Sequence, residues 1–327
     1  MLALVACHAD KGDDTPPAKV VVPVKGWSPR DGKAPDAGST PRDGGAAHDA
    51  SAPVTYATAK VVSGKSIGHT SVALKLSLED NLVAAWKPRT TRGPWRYKGE
   101  IAAYRLATAL GLPNVPEAIP RSFPLVEVVK AVTGRSADTA SLLSTEAIPD
   151  DHGMIPGALI PWIPHLTFLA LEAEPLLSEW RGWLSGAAEI PADKKTLAAQ
   201  VSTMIVFDYI TGNWDRWSGE NVGLGENRDL VLYIDNDGAF YERPPQKPLA
   251  AQRARLEADN RLSRTFVGKL GALDDVALKA ALGDEAPGEP LLSDKARAGV
   301  LARALDAKKL IADKVKKLGE DVVIAFV

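Results

Sequence analysis

The sequence predicts an α+β fold of two lobes: a small β-rich lobe over residues 54–162 and a larger, mainly helical lobe over residues 163–327, behind a disordered tail. Three observations predict it. From Tyr56 to Trp86 the chain runs in short apolar stretches broken by turn residues, the pattern of a meandering sheet. Beyond residue 163 most apolar positions recur at helical spacing. Residues 8–53 are rich in Pro, Gly, Ala, Asp and Lys and nearly lack large apolar side chains, so they cannot bury enough surface to offset the entropy of ordering them.

Bulk composition narrows the function. The 327 residues carry a net charge of −2, with 45% hydrophobic and 24% charged residues, a globular balance that implies no general affinity for nucleic acid. A single cysteine leaves no intrachain disulfide and no cysteine-rich metal site. No apolar run reaches the roughly 18 residues of a membrane span.

The start, Met1 to Cys7, ends in Leu4-Val-Ala-Cys7, which resembles a bacterial lipobox whose cysteine is lipidated. A basic leading segment and a longer apolar run are missing, so residues 1–7 read as a truncated lipoprotein signal. Residues 8–53 would then tether a lipid-anchored domain on the periplasmic side or cell surface. The alternative is an ordinary tail on a cytoplasmic protein.

In the small lobe, Tyr56–Ser63 reads as a strand, Gly64-Lys-Ser-Ile-Gly68 as a turn, and Thr70–Leu78 as a second strand. Such a glycine turn can cover phosphates with backbone N–H groups, which makes Gly64 and Gly68 candidates for nucleotide contact. A Walker A loop is excluded, because Ala59 stands where its first glycine belongs. Leu82–Trp86 reads as a third strand ending at Lys87. Lys87 can hold the α- and β-phosphates of ATP, with Lys75 on the preceding strand as competitor. Residues 98–110 have helical periodicity and stop at Gly111. Glu100, in the first turn, can pair with Lys87. Residues 112–129 read as strand-like and 131–152 as an exposed polar excursion. Gly153–Trp162 reads as a strand running into a connector, where Trp162 is a candidate to stack on adenine.

The large lobe carries the densest chemistry. An apolar helix from Leu197 to Ile210 breaks at Thr211-Gly212. A polar loop follows with Asn213, Asp215, Arg216 and Asn221. A β-rich run, Leu230–Ile234, then delivers Asp235, Asn236 and Asp237. A loop acid, a loop amide and a strand-end acid are what phosphoryl transfer needs. Asp215 takes or orients the proton of an attacking hydroxyl, while Asn221, Asp235 and Asp237 hold Mg²⁺ or Mn²⁺ on the nucleotide phosphates. Neither H-R-D nor D-F-G is present, but the order of acid, amide and acid is kept. Residues 241–249 read as Pro-rich and flexible, residues 253–282 and 291–318 as helices, and residues 322–327 as an apolar tail.

Taken together, Lys87-Pro88, the helix from Glu100 with Leu110-Gly-Leu-Pro-Asn-Val-Pro116, Phe207-Asp-Tyr-Ile-Thr-Gly-Asn-Trp-Asp-Arg216 and Ile234-Asp-Asn-Asp-Gly-Ala-Phe240 resemble the secreted atypical kinases of the four-jointed and Golgi casein-kinase type. More distantly they resemble HipA toxin kinases and phosphatidylinositol kinases. The resemblance spans residues 60–320 and implies a two-lobed protein-kinase-like fold. It implies Lys87 as the phosphate lysine, Glu100 as its ion-pair partner, Asp215 as the catalytic acid and Asp235 as the principal metal ligand. Two departures stand out. Asn221 follows Asp215 at an interval of six rather than five. Asp237 stands where the pattern would go directly to glycine, so Asp235 and Asp237 could share or swap roles.

The leading expectation is therefore an ATP- and divalent-metal-dependent kinase acting on a hydroxyl of a protein, sugar, lipid or small molecule. Outside the cytoplasm ATP is scarce, which motivates the alternative of an inert kinase-shaped binding module. Transfer of AMP by the same residues is a third reading.

Overall fold

The structure is a computed structural model that describes residues 54–68, 72–226 and 228–327. The lipobox cysteine Cys7, the linker 8–53 and residues 69–71, at the start of the predicted second strand, lie outside the described residues.

The small lobe is built on an antiparallel sheet. Its strands are β1 (Val61–Ser66), β2 (Leu74–Leu78) and β3 (Val83–Pro88), then helix α1 (Arg96–Ala109) and the short β4 (Ile119–Pro120). After β5 (Phe123–Pro124), α2 (Leu125–Thr133), α3 (Ala137–Glu146) and β6 (Met154–Ile155), the chain returns as β7 (Gly157–Pro161). The sheet order is β1-β2-β3-β7-β4. Apolar side chains of β2 alternate inward, as period-2 patterning requires. They meet Trp86, Phe123, Val128, Val132 and Leu143 in a compact core of their own.

Three expectations shift here. Gly64 sits inside β1, opposite Leu76, not in the turn. A Cβ at Gly64 would lie 2.8 Å from Leu76 and 2.9 Å from Val132, so packing against α2 requires a glycine here. The turn runs later, closed by the Ile67 and Gly68 N–H groups donating to the Ala73 carbonyl at 2.9 and 3.3 Å. Residues 131–152 are not a loose excursion: α3 buries Thr139, Ala140 and Leu143 and packs with α2 beside β1. Its Ser136 cap accepts from the Thr139 N–H.

The large lobe opens with β8 (Thr167–Phe168), α4 (Leu176–Ser185) and α5 (Lys195–Thr211), and continues with β9 (Val222–Leu224) and β10 (Val231–Tyr233). Then come α6 (Gln246–Ala258), α7 (Arg264–Gly271) and α8 (Asp275–Leu282), the hairpin β11 (Asp284–Ala286) and β12 (Glu289–Pro290), α9 (Asp294–Leu318) and a last turn, α10 (Glu320–Val323). Part of the stretch read as flexible, 246–249, is thus the first turn of α6. From Val201 onward helix α5 is buried on all sides, which explains its lack of a polar face there. It ends because Gly212 adopts φ 66°, the left-handed cap. Helix α1, although it lies within 54–162, packs into the larger core with Phe207, Leu278 and Leu282. It also touches β7 and β4 of the sheet, so it forms the seam between the lobes. Among the described residues no helix is long and apolar enough to cross a membrane.

Candidate active site

Antiparallel pairing with β2 and β7 fixes the direction of β3 and places Lys87 one residue from its end, over the N-terminal turn of α1. Its Nζ lies 2.5 Å from Glu100 Oε1 and 2.6 Å from Asp235 Oδ1, with Asp237 Oδ2 at 3.7 Å. Burial alone would lower the Lys87 pKa, but Asp235, Glu100 and Asp237 outweigh it and hold the ammonium well above its usual range. The competitor Lys75 points elsewhere: its ammonium stands 3.8 Å over the Trp162 ring.

Glu100 is 3% exposed. It also accepts the Asn236 backbone N–H at 3.0 Å, so one carboxylate ties the β3 lysine to the loop after β10. Burial raises the Glu100 pKa against the pull of Lys87. The Asp235 carboxylate is held below its usual value: partial desolvation opposes this, but Lys87, Arg96 and Arg216 prevail. Asp235 itself adopts φ 55°, a sparsely populated conformation for a residue with a Cβ. Asp237 is gripped by Arg96 at 2.5 Å from the first turn of α1.

Two glycines let these parts close. A Cβ on Gly99 would lie 2.6 Å from the Asn236 carbonyl, so the 235–239 loop presses directly on α1. A Cβ on Gly238 would lie 2.9 Å from Asp215 Cβ and 3.0 Å from Asn213 Oδ1. The loop bearing the strand-end acids therefore lies against the loop bearing Asp215. An Asn213–Asn236 contact at 3.5 Å joins the same two loops.

The Asp215 loop is held from below by Arg216, which is fully buried. Its Nε donates to both oxygens of Asp208 at 3.1 and 3.2 Å. Its Nη1 reaches the Asn221 carbonyl at 2.6 Å and the Ile234 carbonyl, and its Nη2 reaches Asn236 Oδ1. One guanidinium thus uses its planar fork to fix α5, the catalytic-type loop and the end of β10 together. The Asp215 carboxyl, left half-buried, has its pKa raised by burial and by the charges of Asp235 and Asp237, a shift toward the range where a carboxylate can accept a proton. Asn221 donates its amide to the Asp215 carbonyl at 2.8 Å, which braces the loop and leaves its side-chain oxygen without a partner among the described residues.

The structure thus gathers Lys87, Glu100, Asp235 and Asp237 in one cluster, with Asp215 and Asn221 on the adjoining loop. Trp162 and Gly68 lie on the sheet-lobe side, and Gly64 is removed to the strand interior. Sequence reasoning gave no role to the supporting set: Arg96, Gly99, Asp208, Gly238 and Arg216, the last named only as a member of the loop. Adjacency to Asp215 and Asp237 was the only signal for Arg216 and Gly238. Asp208 carries no local signal.

Among the described residues no three carboxylate, imidazole or thiol groups converge into a ready-made metal cage. The donor set fits Mg²⁺ or Mn²⁺ in the other way such ions are held: hard carboxylate oxygens on Asp235 and Asp237, completed by phosphate oxygens of a nucleotide.

The chain is 26% identical to the human glycosaminoglycan xylosylkinase over a 319-residue alignment that covers 82% of this chain and 75% of that protein. Its fold matches hydra Fam20 solved with sugar at a TM-score of 0.59 and 18% identity, over 82% of this chain and 89% of that one. It matches the Golgi casein kinase with Mn/ADP bound at a TM-score of 0.59 and 15% identity, over 82% and 76% of the two chains. No protein-family profile matches the chain. The fold is therefore the two-lobed protein-kinase-like one, and the chain is similar to the atypical secreted kinases of that type.

Proposed function

We propose that this protein is an ATP- and divalent-metal-dependent kinase that transfers a phosphoryl group to a hydroxyl acceptor. The observation that carries the reading is the Lys87 ammonium bonded at once to Glu100 and Asp235, in a loop packed by Gly238 against Asp215. Lys87 would hold the nucleotide phosphates, with Glu100 fixing its position. Asp235 and Asp237 would hold the metal, with Asn221 contributing its free oxygen. A bound divalent cation would neutralise charge on the transferring phosphoryl group. Asp215 would accept the proton of the acceptor hydroxyl, and its raised pKa suits that task. Adenine would stack near Trp162 once Lys75 withdraws from the ring, with Gly68 in the turn above the phosphates.

The acceptor is a sugar or protein hydroxyl. A sugar is favoured by an aromatic rim beside Asp215: Trp95, 53% exposed, meets Tyr241 edge-on at 6.1 Å, and Tyr241 meets Trp214 at 6.3 Å. Such faces suit the apolar side of a sugar ring. We also propose lipid anchoring through Cys7, which palmitate labelling of wild type against Cys7→Ser tests.

Thermal-shift titration with ATP and Mn²⁺ or Mg²⁺ tests the kinase. Metal-dependent stabilisation is expected, lost in Asp235→Ala and kept in Asp215→Ala. Mass spectrometry of acceptors after incubation with ATP should show an added phosphate. An added AMP would mean nucleotidyl transfer, and no metal-dependent stabilisation at all would leave an inert module.

A further inference from the structure

A cavity of about 490 Å³ opens between α4, α5 and α6, and none of the residues assigned to nucleotide or metal lines it. Trp180 and Asp259 form its inner wall at 3% and 1% exposure. Arg181, exposed, and Arg255, half-buried, form its rim. The two guanidiniums stand close enough that Arg181 helps to lower the Arg255 pKa, after burial. Neither forms an ion pair within 4.0 Å among the described residues; Asp208 and Glu172 attract Arg255 only from farther away. Each lies over an indole instead, Arg255 over Trp217 at 4.3 Å and Arg181 over Trp180 at 5.6 Å.

Asp259 supplies an independent sign of a ligand. Its Oδ1 accepts the Arg261 N–H at 3.0 Å, but its buried Oδ2 has no hydrogen-bond partner. The neighbouring Ser202 hydroxyl, near enough to favour the ionised carboxylate, donates to the Arg261 carbonyl at 2.8 Å, and the Lys314 ammonium beside it donates to the main-chain carbonyls of Leu256, Glu257 and Asp259. A buried oxygen without a donor is costly. Here it lines a cavity whose rim carries two guanidiniums, neither with a carboxylate within 4.0 Å among the described residues.

We propose that this cavity is a second binding site, for a small organic oxyanion that also carries a hydroxyl. The anion is held by Arg181 and Arg255, the hydroxyl donates to Asp259 Oδ2, and the carbon skeleton rests on Trp180. A sugar phosphate and a sugar carboxylate both have this chemistry.

The test needs no nucleotide and so stands apart from the kinase reading. The full chain is titrated with glucose 6-phosphate, glucuronate and inorganic phosphate while tryptophan fluorescence is followed. The expected result is a saturable change, at least tenfold weaker in Arg181→Ala and in Arg255→Ala, the loss expected for one charge-assisted hydrogen bond. Tightest binding by glucose 6-phosphate identifies a phosphate ester, and tightest binding by glucuronate a carboxylate. Asp259→Asn should weaken both sugar ligands several-fold and leave inorganic phosphate nearly unchanged. Ala254→Trp, on the cavity rim, should block binding without touching a charge. Lys87→Ala should leave it intact. A response lost in Lys87→Ala and kept in Arg181→Ala would place the anion in the nucleotide cleft and overturn the proposal, as would no saturable response up to millimolar ligand.

Discussion

Replacing Gly238 by alanine tests how closely the two acid-bearing loops must approach. The new methyl carbon would lie 2.9 Å from Asp215 Cβ and 3.0 Å from Asn213 Oδ1. Carbon atoms in contact prefer about 3.5–4.0 Å, so the loops must part by roughly 0.5–1 Å. The backbone at Gly238 is not left-handed, so the penalty is steric alone. Overpacking of this kind costs about 1–3 kcal/mol of stability, a Tm loss of a few degrees. Displacing a reacting group by about 1 Å costs on the order of 100-fold in rate. The expected variant is therefore folded, still stabilised by metal and ATP, and slowed about 100-fold in ATP turnover, measured alongside Gly134→Ala, whose methyl would meet nothing within 4 Å. A Gly238→Ala enzyme with wild-type turnover would refute the inference that Asp215 and the Asp235 loop act from a shared, tightly spaced site.

Other outcomes follow from the same geometry. Removing one partner of the fully buried Arg216–Asp208 pair should cost about 3–5 kcal/mol, read by urea unfolding of Asp208→Asn; a loss below about 1 kcal/mol would contradict the role assigned to Arg216. Burial pushes the Asp259 carboxyl up to about 7, against about 3.9 in an unfolded chain. Its contribution to stability is thus fully present below pH 4 and falls as pH rises to about 7, by up to about 4 kcal/mol. Asp259→Asn should flatten that part of the stability–pH curve, and an unchanged slope between pH 4 and 7 would show that the group titrates normally. Trp95→Ala should raise KM for a sugar acceptor at least fivefold and leave the affinity for ATP unchanged; an unaltered KM would remove the aromatic rim from acceptor binding.

The residues proposed to perform chemistry were legible in the sequence because each sits at a secondary-structure boundary that the pattern marks. Lys87 ends an apolar strand, Glu100 opens a periodic helix, and Asp215 and Asp235 follow a helix stop and a strand. The groups that hold them in place were not legible, because their meaning depends on distant partners. Gly64 looks like a turn glycine until Val132 arrives on α2 to occupy the space a Cβ would need. Asp208 looks like a polar flaw in an apolar helix until Arg216 folds back onto it. Helix α3 escaped notice because only a few of its positions are buried, and those include Thr139 and Glu146. Trp162 was correctly placed at the end of β7, but the lysine stacked on it comes from a strand more than eighty residues earlier.

Helix α1 carries a consequence for the lysine–glutamate pair. Its apolar side is sunk among α8 and the large core, its other flank touches the sheet, and its glutamate grips both the β3 lysine and the Asn236 amide. A helix mortised into both halves cannot swing outward to disconnect lysine from glutamate without tearing open the main core. Lysine and glutamate are thus held in register by the packing of the fold itself.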